Sequence, residues 1–236
     1  MKGFAGIDGC RGGWIAVIFD DSWKACFYKN IQCFWDNNKH IGLVLIDIPI
    51  GLKGDRDCDK LARKMLPASR KSTIFNTPAA ECLDIEDYKK ASQINYDICG
   101  KRLSKQSFYL MPKIREVDDF LDNSKEARKV FYESHPELCF LSIPNKDFYN
   151  KKSPHGRQQR LEFIKNIEPG LYDVYKWTLN RYKRILVESH DILDAMILAI
   201  SAKAGKNKLR FLPRKAKTDS RGLKMQIAYS VWDYYI

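Results

Sequence analysis

Residues 4–19, FAGIDGCRGGWIAVIF, decide the fold that the sequence predicts. Residues 4–8 are mostly apolar, as in a buried strand, and residues 9–13 contain three glycines that favour a tight turn. Residues 14–19 predict a second strand, and residues 23–28 predict a third strand after another short turn. Because such short connections join antiparallel neighbours, we expect an antiparallel β1-β2-β3 meander.

Further along the chain, the pattern predicts another buried strand and several helices. Residues 30–40 are polar and indicate a helix, and residues 42–48, GLVLIDI, indicate a strand that ends at Pro49. Residues 190–204 are strongly apolar and predict a helix. Residues 208–212 predict a last strand before a basic, irregular tail.

We therefore predict one α/β domain over residues 1–236. Its core is a five-stranded mixed sheet that begins with the meander and is flanked by helices. A helix-rich insertion is expected at about 53–127, where Gly100 and Pro112 interrupt the helices. A basic C-terminal segment is expected at about 203–236.

The composition is basic and indicates an anionic partner. Lys and Arg number 41 against 29 Asp and Glu, which gives a formal charge of +12. Residues 203–224 hold nine basic residues and one acidic residue. This stretch suits a nucleic acid, and a solvated basic surface is the other interpretation. We take Arg214, Lys215 and Lys217 as candidate nucleic-acid contacts.

Cysteine usage and hydropathy bear on the cellular compartment. The seven cysteines are scattered without a Cys-x-x-Cys pair, which argues against a disulfide framework and against a Cys-rich zinc site. No stretch approaches the ~18–20 apolar residues of a membrane helix, and the first residues lack the apolar core of a signal peptide. We therefore expect a cytoplasmic protein with no membrane partner. The oligomeric state stays open, a homodimer included.

Five acidic residues stand next to apolar runs, where charged side chains are rarely found. Asp8 and Glu133 end predicted strands, Asp47 lies inside one, and Asp191 and Asp194 share one face of a helix. Ordinary turn, strand-end and helix-capping roles remain open for them. If these carboxylates meet, they need a cation to offset their repulsion, and such oxygen ligands select Mg²⁺ or Mn²⁺.

Arg11 and the tryptophans are further residues that could contact nucleic acid. Arg11 lies in the glycine-rich turn after the first strand, from which its side chain could reach a phosphate. The tryptophans suit the core better than a base-stacking surface, because large aromatic rings dominate protein cores. They are Trp14, Trp23, Trp35, Trp177 and Trp232.

Several short motifs follow one another along residues 4–202. They are Gly6-Ile7-Asp8-Gly9, Ile46-Asp47-Ile48-Pro49, Arg56-x-Cys58-Asp59, Pro112-Lys113-Ile114, Glu133-x-His135-Pro136-Glu137, Lys152-x-x-x-Gly156-x-x-x-Arg160 and Asp191-x-x-Asp194-Ala195. In this order they resemble the DUF429 type, a family of uncharacterised, predicted RNase H-like nucleases. The resemblance implies an RNase H-like fold with the chain order β-β-β-α-β-α-β-α. It also makes Lys113 a candidate phosphate contact.

The helix at 190–200 is similar to the last catalytic helix of Holliday-junction resolvases, proteins that end in a comparable Asp-x-x-Asp-Ala run. By this resemblance Asp8 would bridge two metal ions, and Asp47 would take the role of the second-strand carboxylate. Asp191 or Asp194 would complete the site. Glu133 would be a further ligand or would orient the attacking water.

Three functions compete at this level. The first is a nuclease that depends on Mg²⁺ or Mn²⁺ and cleaves phosphodiester bonds in DNA or RNA. The second is a non-catalytic nucleic-acid-binding module on the same fold, which has no need to crowd carboxylates near an anion. The third is an actin-like or sugar-kinase-like ATPase, which needs two such cores, so that 236 residues are too few.

Overall fold

The computed structural model, which describes residues 3–143 and 148–232, begins with three strands joined by short turns. They are β1 (Phe4–Cys10), β2 (Gly13–Asp20) and β3 (Ser22–Tyr28). β1 pairs antiparallel with β2, and β2 pairs antiparallel with β3. The turn after β1 contains Gly12 at φ +93°, a backbone conformation that a Cβ atom would strain.

Two further strands complete the main sheet. β4 (Leu43–Ile46) runs parallel to β1, and β5 (Phe131–Glu133) runs parallel to β4. The α/β class and the five-stranded mixed sheet are therefore confirmed.

Side by side in the sheet, the strands follow the order β3-β2-β1-β4-β5, which is not the sequential order stated from the sequence. The chain does not add its fourth strand after β3; it returns to the other side of β1. Burial explains this placement, because parallel strands are covered on both faces and need continuous apolar runs. All four residues of β4 are buried, whereas most of β3 is partly or fully exposed and suits an edge.

The described residues also form eight α-helices. In chain order they are α1 (Ile31–Asn37), α2 (Asp57–Met65), α3 (Tyr88–Cys99), α4 (Lys105–Asn123), α5 (Pro136–Leu141), α6 (Pro154–Ile167), α7 (Gly170–Arg181) and α8 (Ser189–Lys203). Within residues 3–143 and 148–232, no helix has the length and apolar character needed to cross a membrane.

The chain divides into two units. Unit 1 takes its described residues from Met1–Asp47, Lys129–Arg210 and Ala228–Ile236, and contains the five-stranded sheet with α1 and α5 to α8. Unit 2 consists of Ile48–Arg128 and Phe211–Ile227, and contains α2 to α4.

In unit 1, α8 packs its backbone directly against β1. Every residue from Asp191 to Ala202 is buried, as expected for a helix that is apolar on all sides. The contact is closest at Gly6, where a Cβ atom would lie 2.1 Å from the nitrogen of Ala199 and 2.2 Å from the carbonyl oxygen of Ala195. Only glycine leaves room for this approach.

In unit 2, the predicted interruption at Pro112 is wrong. The helix α4 continues through Pro112, which is exposed, because Met111, Ile114 and Val117 bury the opposite face. The packing of this face outweighs the one backbone hydrogen bond that proline removes. Gly100 does end a helix, since it follows α3 in the left-handed conformation that glycine adopts easily.

The predicted irregular tail is also wrong. The chain forms β6 (Leu209–Thr218) and β7 (Lys224–Ser230), which make a two-stranded sheet. The turn between them is organised by the buried carboxylate of Asp219, which accepts hydrogen bonds from the backbone nitrogens of Arg221 (3.0 Å) and Leu223 (2.9 Å). The basic composition of this segment hides the alternation of buried and exposed residues along β7.

We predict that Gly6→Ala destabilises the protein by about 3 kcal/mol or more, because α8 must move away from β1 to admit the methyl group. Urea denaturation measures the loss. The control is Gly170→Ala in α7, where the new Cβ atom meets only a ring carbon of Trp23 at 3.7 Å. That variant should be neutral or slightly more stable, since alanine favours helix. Equal effects of the two substitutions would contradict the close packing at Gly6.

Candidate functional site

The register of two parallel strands brings Asp8 and Asp47 together. Ile7 of β1 is paired with Ile46 of β4, so the aspartates that follow lie side by side at the carboxyl ends of these strands. The backbone nitrogen of Asp47 donates to the carbonyl oxygen of Ile7 (3.0 Å). Because side chains alternate along a strand, Asp8 lies on the same face as Gly6, which is the face that α8 covers.

The helix α8 supplies a third carboxylate, Asp194, directly before Ala195. The residue is 0% exposed, and its Oδ1 atom has no hydrogen-bond partner among the described residues. Its Oδ2 atom accepts a hydrogen bond of 2.5 Å from Nζ of Lys151. A buried carboxylate oxygen with no partner costs free energy, and it is an available ligand atom for a cation.

Asp191 performs the capping role that the sequence left open. Its Oδ2 atom accepts a hydrogen bond from the backbone nitrogen of Glu188 (2.8 Å), as part of a capping box at the start of α8. Its Oδ1 atom lies 3.4 Å from Nε2 of His190. Burial raises the pKa of Asp191, and the charge of Asp194 adds to this rise. Asp191 thus both caps the helix and belongs electrostatically to the acidic group.

The carboxyl pKa values show that the aspartates form one electrostatic cluster. Burial raises the pKa of Asp8 well above its usual value, and the charges of Asp47, Asp194 and Asp191 raise it further. Burial also raises the pKa of Asp47 to about 7, with Lys151 opposing the rise and Asp194 adding to it. We call Asp8, Asp47, Asp191 and Asp194 the carboxylate cluster.

Lys151 is the cation of this cluster, and sequence reasoning missed it. Burial alone would lower the pKa of its ammonium group, but the charges of Asp194, Asp8 and Asp47 outweigh burial and raise the pKa. The residue lies in a segment before α6 that Arg160 holds through the carbonyl oxygen of Tyr149 (2.5 Å). Nothing in the local sequence distinguishes Lys151 from the exposed Lys152 beside it.

Glu133 occupies the same edge of the sheet but the other face. It is paired with Ile46 in the register of β4 and β5, so its side chain alternates with that of Asp47. The glutamate whose charge contributes to the raised pKa of Asp47 is Glu137, at the start of α5. Nη2 of Arg160 donates to both carboxylate oxygens of Glu137 (2.9 and 3.2 Å), and both side chains are buried. In the sequence, Glu137 could have been found through the motif Glu133-x-His135-Pro136-Glu137, in which it is the last residue.

The candidate nucleic-acid contacts are distributed over both units. Arg11 is exposed in the turn after β1, in unit 1. Lys113 is half-buried in α4, and Arg214, Lys215 and Lys217 are exposed on β6, all in unit 2. Lys217 is paired with Asp57 at 2.7 Å, which offsets part of its charge.

The cluster has the chemistry of a site for a hard divalent cation but not the assembled geometry. Carboxylate oxygens and the unpartnered Oδ1 of Asp194 are suitable ligands for Mg²⁺ or Mn²⁺. In the part of the chain that the structure describes, however, no group of three or more His, Cys, Asp or Glu side chains is arranged to hold a metal. The ammonium group of Lys151 provides the positive charge instead.

The chain matches a known protein family. A family model described as "Protein of unknown function (DUF429)" matches residues 6–218, which is most of the chain. Neither the search of curated proteins nor the search of solved structures gave a match.

We predict that Asp47→Asn stabilises the protein more at pH 8 than at pH 5. Because the folded pKa of about 7 exceeds the ordinary value of 3.8, the folded state binds a proton more tightly than the unfolded state. The stabilising effect of that proton is lost as the pH rises through 7. The gain in unfolding free energy at pH 8 should exceed the gain at pH 5 by on the order of 2 kcal/mol.

The measurement is urea denaturation at both pH values in the presence of EDTA. The control is Asp173→Asn, which changes an exposed aspartate of α7 in the same way. Equal gains for Asp47→Asn at the two pH values would show that this carboxylate is not held in an unfavourable environment.

Proposed function

The chain belongs to DUF429, a family of proteins of unknown function, and we propose that it is a metal-dependent nuclease that hydrolyses phosphodiester bonds of nucleic acid. We further propose that its fold is RNase H-like. One observation carries the proposal: Asp8 and Asp47 lie side by side at the ends of β1 and β4, and Asp194 of the covering helix α8 is near enough for its charge to raise the pKa of both. Such a buried concentration of like charge is costly and is typical of functional sites.

The proposed metal ligands are Asp8, Asp47 and Asp194, because they share one face of the sheet and Asp194 has an unpartnered oxygen. Asp191 supports them from the first turn of α8. A bound Mg²⁺ or Mn²⁺ would act as a Lewis acid toward the phosphate group and would make a water molecule a stronger nucleophile. Glu133 lies on the opposite face and is left out of the proposed ligands.

The chain's own cations offset the repulsion between this cluster and a phosphodiester. Lys151 pairs with Asp194, so a metal ion must compete with its ammonium group for that carboxylate. Once released, the ammonium group remains a positive charge beside the cluster, where it can bind a phosphate oxygen. Arg11 adds an exposed positive charge three residues after Asp8.

A second candidate is a non-catalytic nucleic-acid-binding module on the same fold. The ion pair between Lys151 and Asp194 favours it, because this pair compensates the most buried carboxylate without a metal. The two candidates differ in what divalent ions do: a nuclease needs them for turnover, whereas a binding module has no turnover to lose.

We predict that wild-type protein cleaves labelled oligonucleotides in Mn²⁺ or Mg²⁺ and that EDTA abolishes the cleavage. Asp8→Asn and Asp194→Asn should each reduce cleavage to the level without protein, because each removes a charged ligand. The control Asp173→Asn should retain wild-type cleavage. Absence of cleavage by the wild type across single-stranded and double-stranded DNA and RNA would favour the binding module.

We also predict that Lys151→Met raises the affinity for Mn²⁺ by about tenfold or more, since it removes the ammonium group that competes for Asp194. Isothermal titration calorimetry measures this affinity, and the increase in melting temperature on adding Mn²⁺ provides a second readout. The matched control is Lys152→Met, which removes the exposed neighbouring lysine and should leave Mn²⁺ binding unchanged. The double variant Lys151→Met, Asp194→Asn should lose the gain. If Lys151→Met binds Mn²⁺ no better than the control does, the cluster is not a metal site.

A further inference from the structure

Trp177 departs from the expectation that the tryptophans lie in the core. Its side chain is 51% exposed near the end of α7, whereas Trp14, Trp35 and Trp232 are buried. The sequence gives no reason for an exposed tryptophan at this position, since α7 already buries Leu171, Tyr175 and Thr178 on its other side. An exposed indole ring is available for contact with a ligand.

The ring of Trp177 is held in place from two sides. The guanidinium carbon of Arg181, four residues along the helix, lies 5.9 Å from the ring centroid. The ring of Tyr182 meets Trp177 edge-on, with 6.3 Å between the centroids and an angle of 89°. These contacts orient the indole ring and still leave half of it accessible, which reduces the entropy that binding would cost.

Tyr182 connects this tryptophan to the sheet face that carries the carboxylate cluster. The Tyr182 hydroxyl accepts a hydrogen bond from the backbone nitrogen of Phe27 (3.2 Å), and the two rings lie 6.0 Å apart. Phe27 is paired with Ile15, and Ile15 is paired with Asp8. Phe27 and Asp8 therefore share one face of the sheet, two strands and roughly 10 Å apart.

The segment after α7 continues along the same edge of the sheet. A Cβ atom at Gly12, in the turn after β1, would lie 3.9 Å from Leu186. This contact places Leu186 beside the turn that carries Arg11. Two residues after Leu186, Glu188 caps α8 and thereby fixes Asp191. The exposed segment is thus directly connected to the carboxylate cluster within unit 1.

The charge of this surface is strongly positive. Residues 174–187 contain four basic side chains and no acidic one, and one of the four, Lys176, is paired with Asp173 at 3.2 Å. Arg181, Lys183 and Arg184 are exposed, and Ile185 is 61% exposed beside them. We call Trp177, Arg181, Lys183, Arg184 and Ile185 the basic-aromatic surface.

The combination of cations with an exposed flat ring identifies the chemistry of the ligand. Phosphate groups satisfy the cations, and an unpaired base stacks on the indole ring; this pairing of contacts is typical of surfaces that bind single strands. A continuous duplex keeps its bases stacked inside and offers the tryptophan nothing to stack on. An acidic peptide would satisfy the cations and would leave the ring without a specific role.

We propose that the basic-aromatic surface binds single-stranded nucleic acid and leads the strand toward the carboxylate cluster. This inference rests on the proposed function and names its substrate as an unpaired strand. It also assigns the main phosphate contacts to the connection between α7 and α8, whereas the sequence alone assigned them to the basic stretch at 203–224. The Lys and Arg residues of that stretch then contribute little to binding a short strand.

The stacking contact is tested by fluorescence anisotropy with a labelled twelve-nucleotide oligo-dT or oligo-U, in EDTA so that no hydrolysis occurs. Trp177→Ala should weaken binding about tenfold, because one stacked base is lost. Trp177→Phe should keep most of the affinity, since an aromatic ring remains, and Trp177→Leu should not. The bound strand should also quench tryptophan fluorescence in the wild type more than in Trp177→Phe. A hairpin duplex should bind more weakly and should be insensitive to Trp177→Ala.

The phosphate contacts are tested with two double variants of equal charge change. Arg181→Ala with Arg184→Ala should lower the salt dependence of binding, by a slope of roughly 1.4 in log affinity against log salt for two contacts to a single strand. Arg214→Ala with Lys215→Ala is the matched control on β6 and should leave the slope unchanged. Equal losses from both pairs would mean that net charge alone governs binding, and this would overturn the proposal.

The outcomes separate this inference from the proposed function. If the strand binds through Trp177 in EDTA but no divalent ion produces cleavage, the surface stands and the nuclease proposal fails. If cleavage occurs and Trp177→Ala binds and cleaves like the wild type, the nuclease stands and the surface is refuted. Equal weakening of single strand and duplex by Trp177→Ala would also refute it, because stacking on the ring requires an unpaired base.

Discussion

The close contact between the backbone of α8 and Gly6 of β1 is the constraint on which the rest of unit 1 depends. Because Gly6 has no Cβ atom, the backbone of α8 can contact β1 directly. Asp194 on α8 therefore lies over the face of the sheet that carries Asp8 and Asp47. A larger residue at Gly6 would separate helix and strand, and the three carboxylates would no longer share one environment. The same packing fixes the start of α8, where Asp191 caps the helix and extends the acidic cluster.

The second organising feature is the balance of charge inside this packed region. Burial and the charges of neighbouring aspartates raise the pKa of Asp8, Asp47 and Asp191, and Lys151 is the ammonium group paired with Asp194, the most deeply buried member of the cluster. Glu137 is compensated separately by Arg160, which also holds the segment before Lys151. Burying several charges is energetically unfavourable, and clusters of this kind are typical of functional sites. This arrangement therefore supports a site that binds either a metal or the phosphate of a ligand. The basic-aromatic surface continues the same sheet edge with positive charge.

Several features were predictable because they depend on local patterns. The alternation of glycine turns and apolar runs predicted the strands at the start of the chain, and the apolar run at 190–204 predicted α8. The acidic residues stood out because charges seldom occur beside buried strands. Where composition and pattern disagreed, the composition was misleading. The basic residues of this segment masked the alternation of buried and exposed residues along β7, and Pro112 indicated a helix break that the apolar face of α4 prevents.

By itself the sequence determined the class of fold, the strands of the mixed sheet and the acids available to a site, because periodicity and residue type are local properties. Only the tertiary structure decided which of these residues meet. Strand register put Glu133 on the face opposite Asp47, and chain segments far apart in sequence brought in Lys151 and Glu137. The exposure of Trp177 was likewise decided by which side of α7 packs on the sheet. Strand register and packing bring together residues that are far apart in the chain, so no short stretch of sequence contains the information that predicts these contacts.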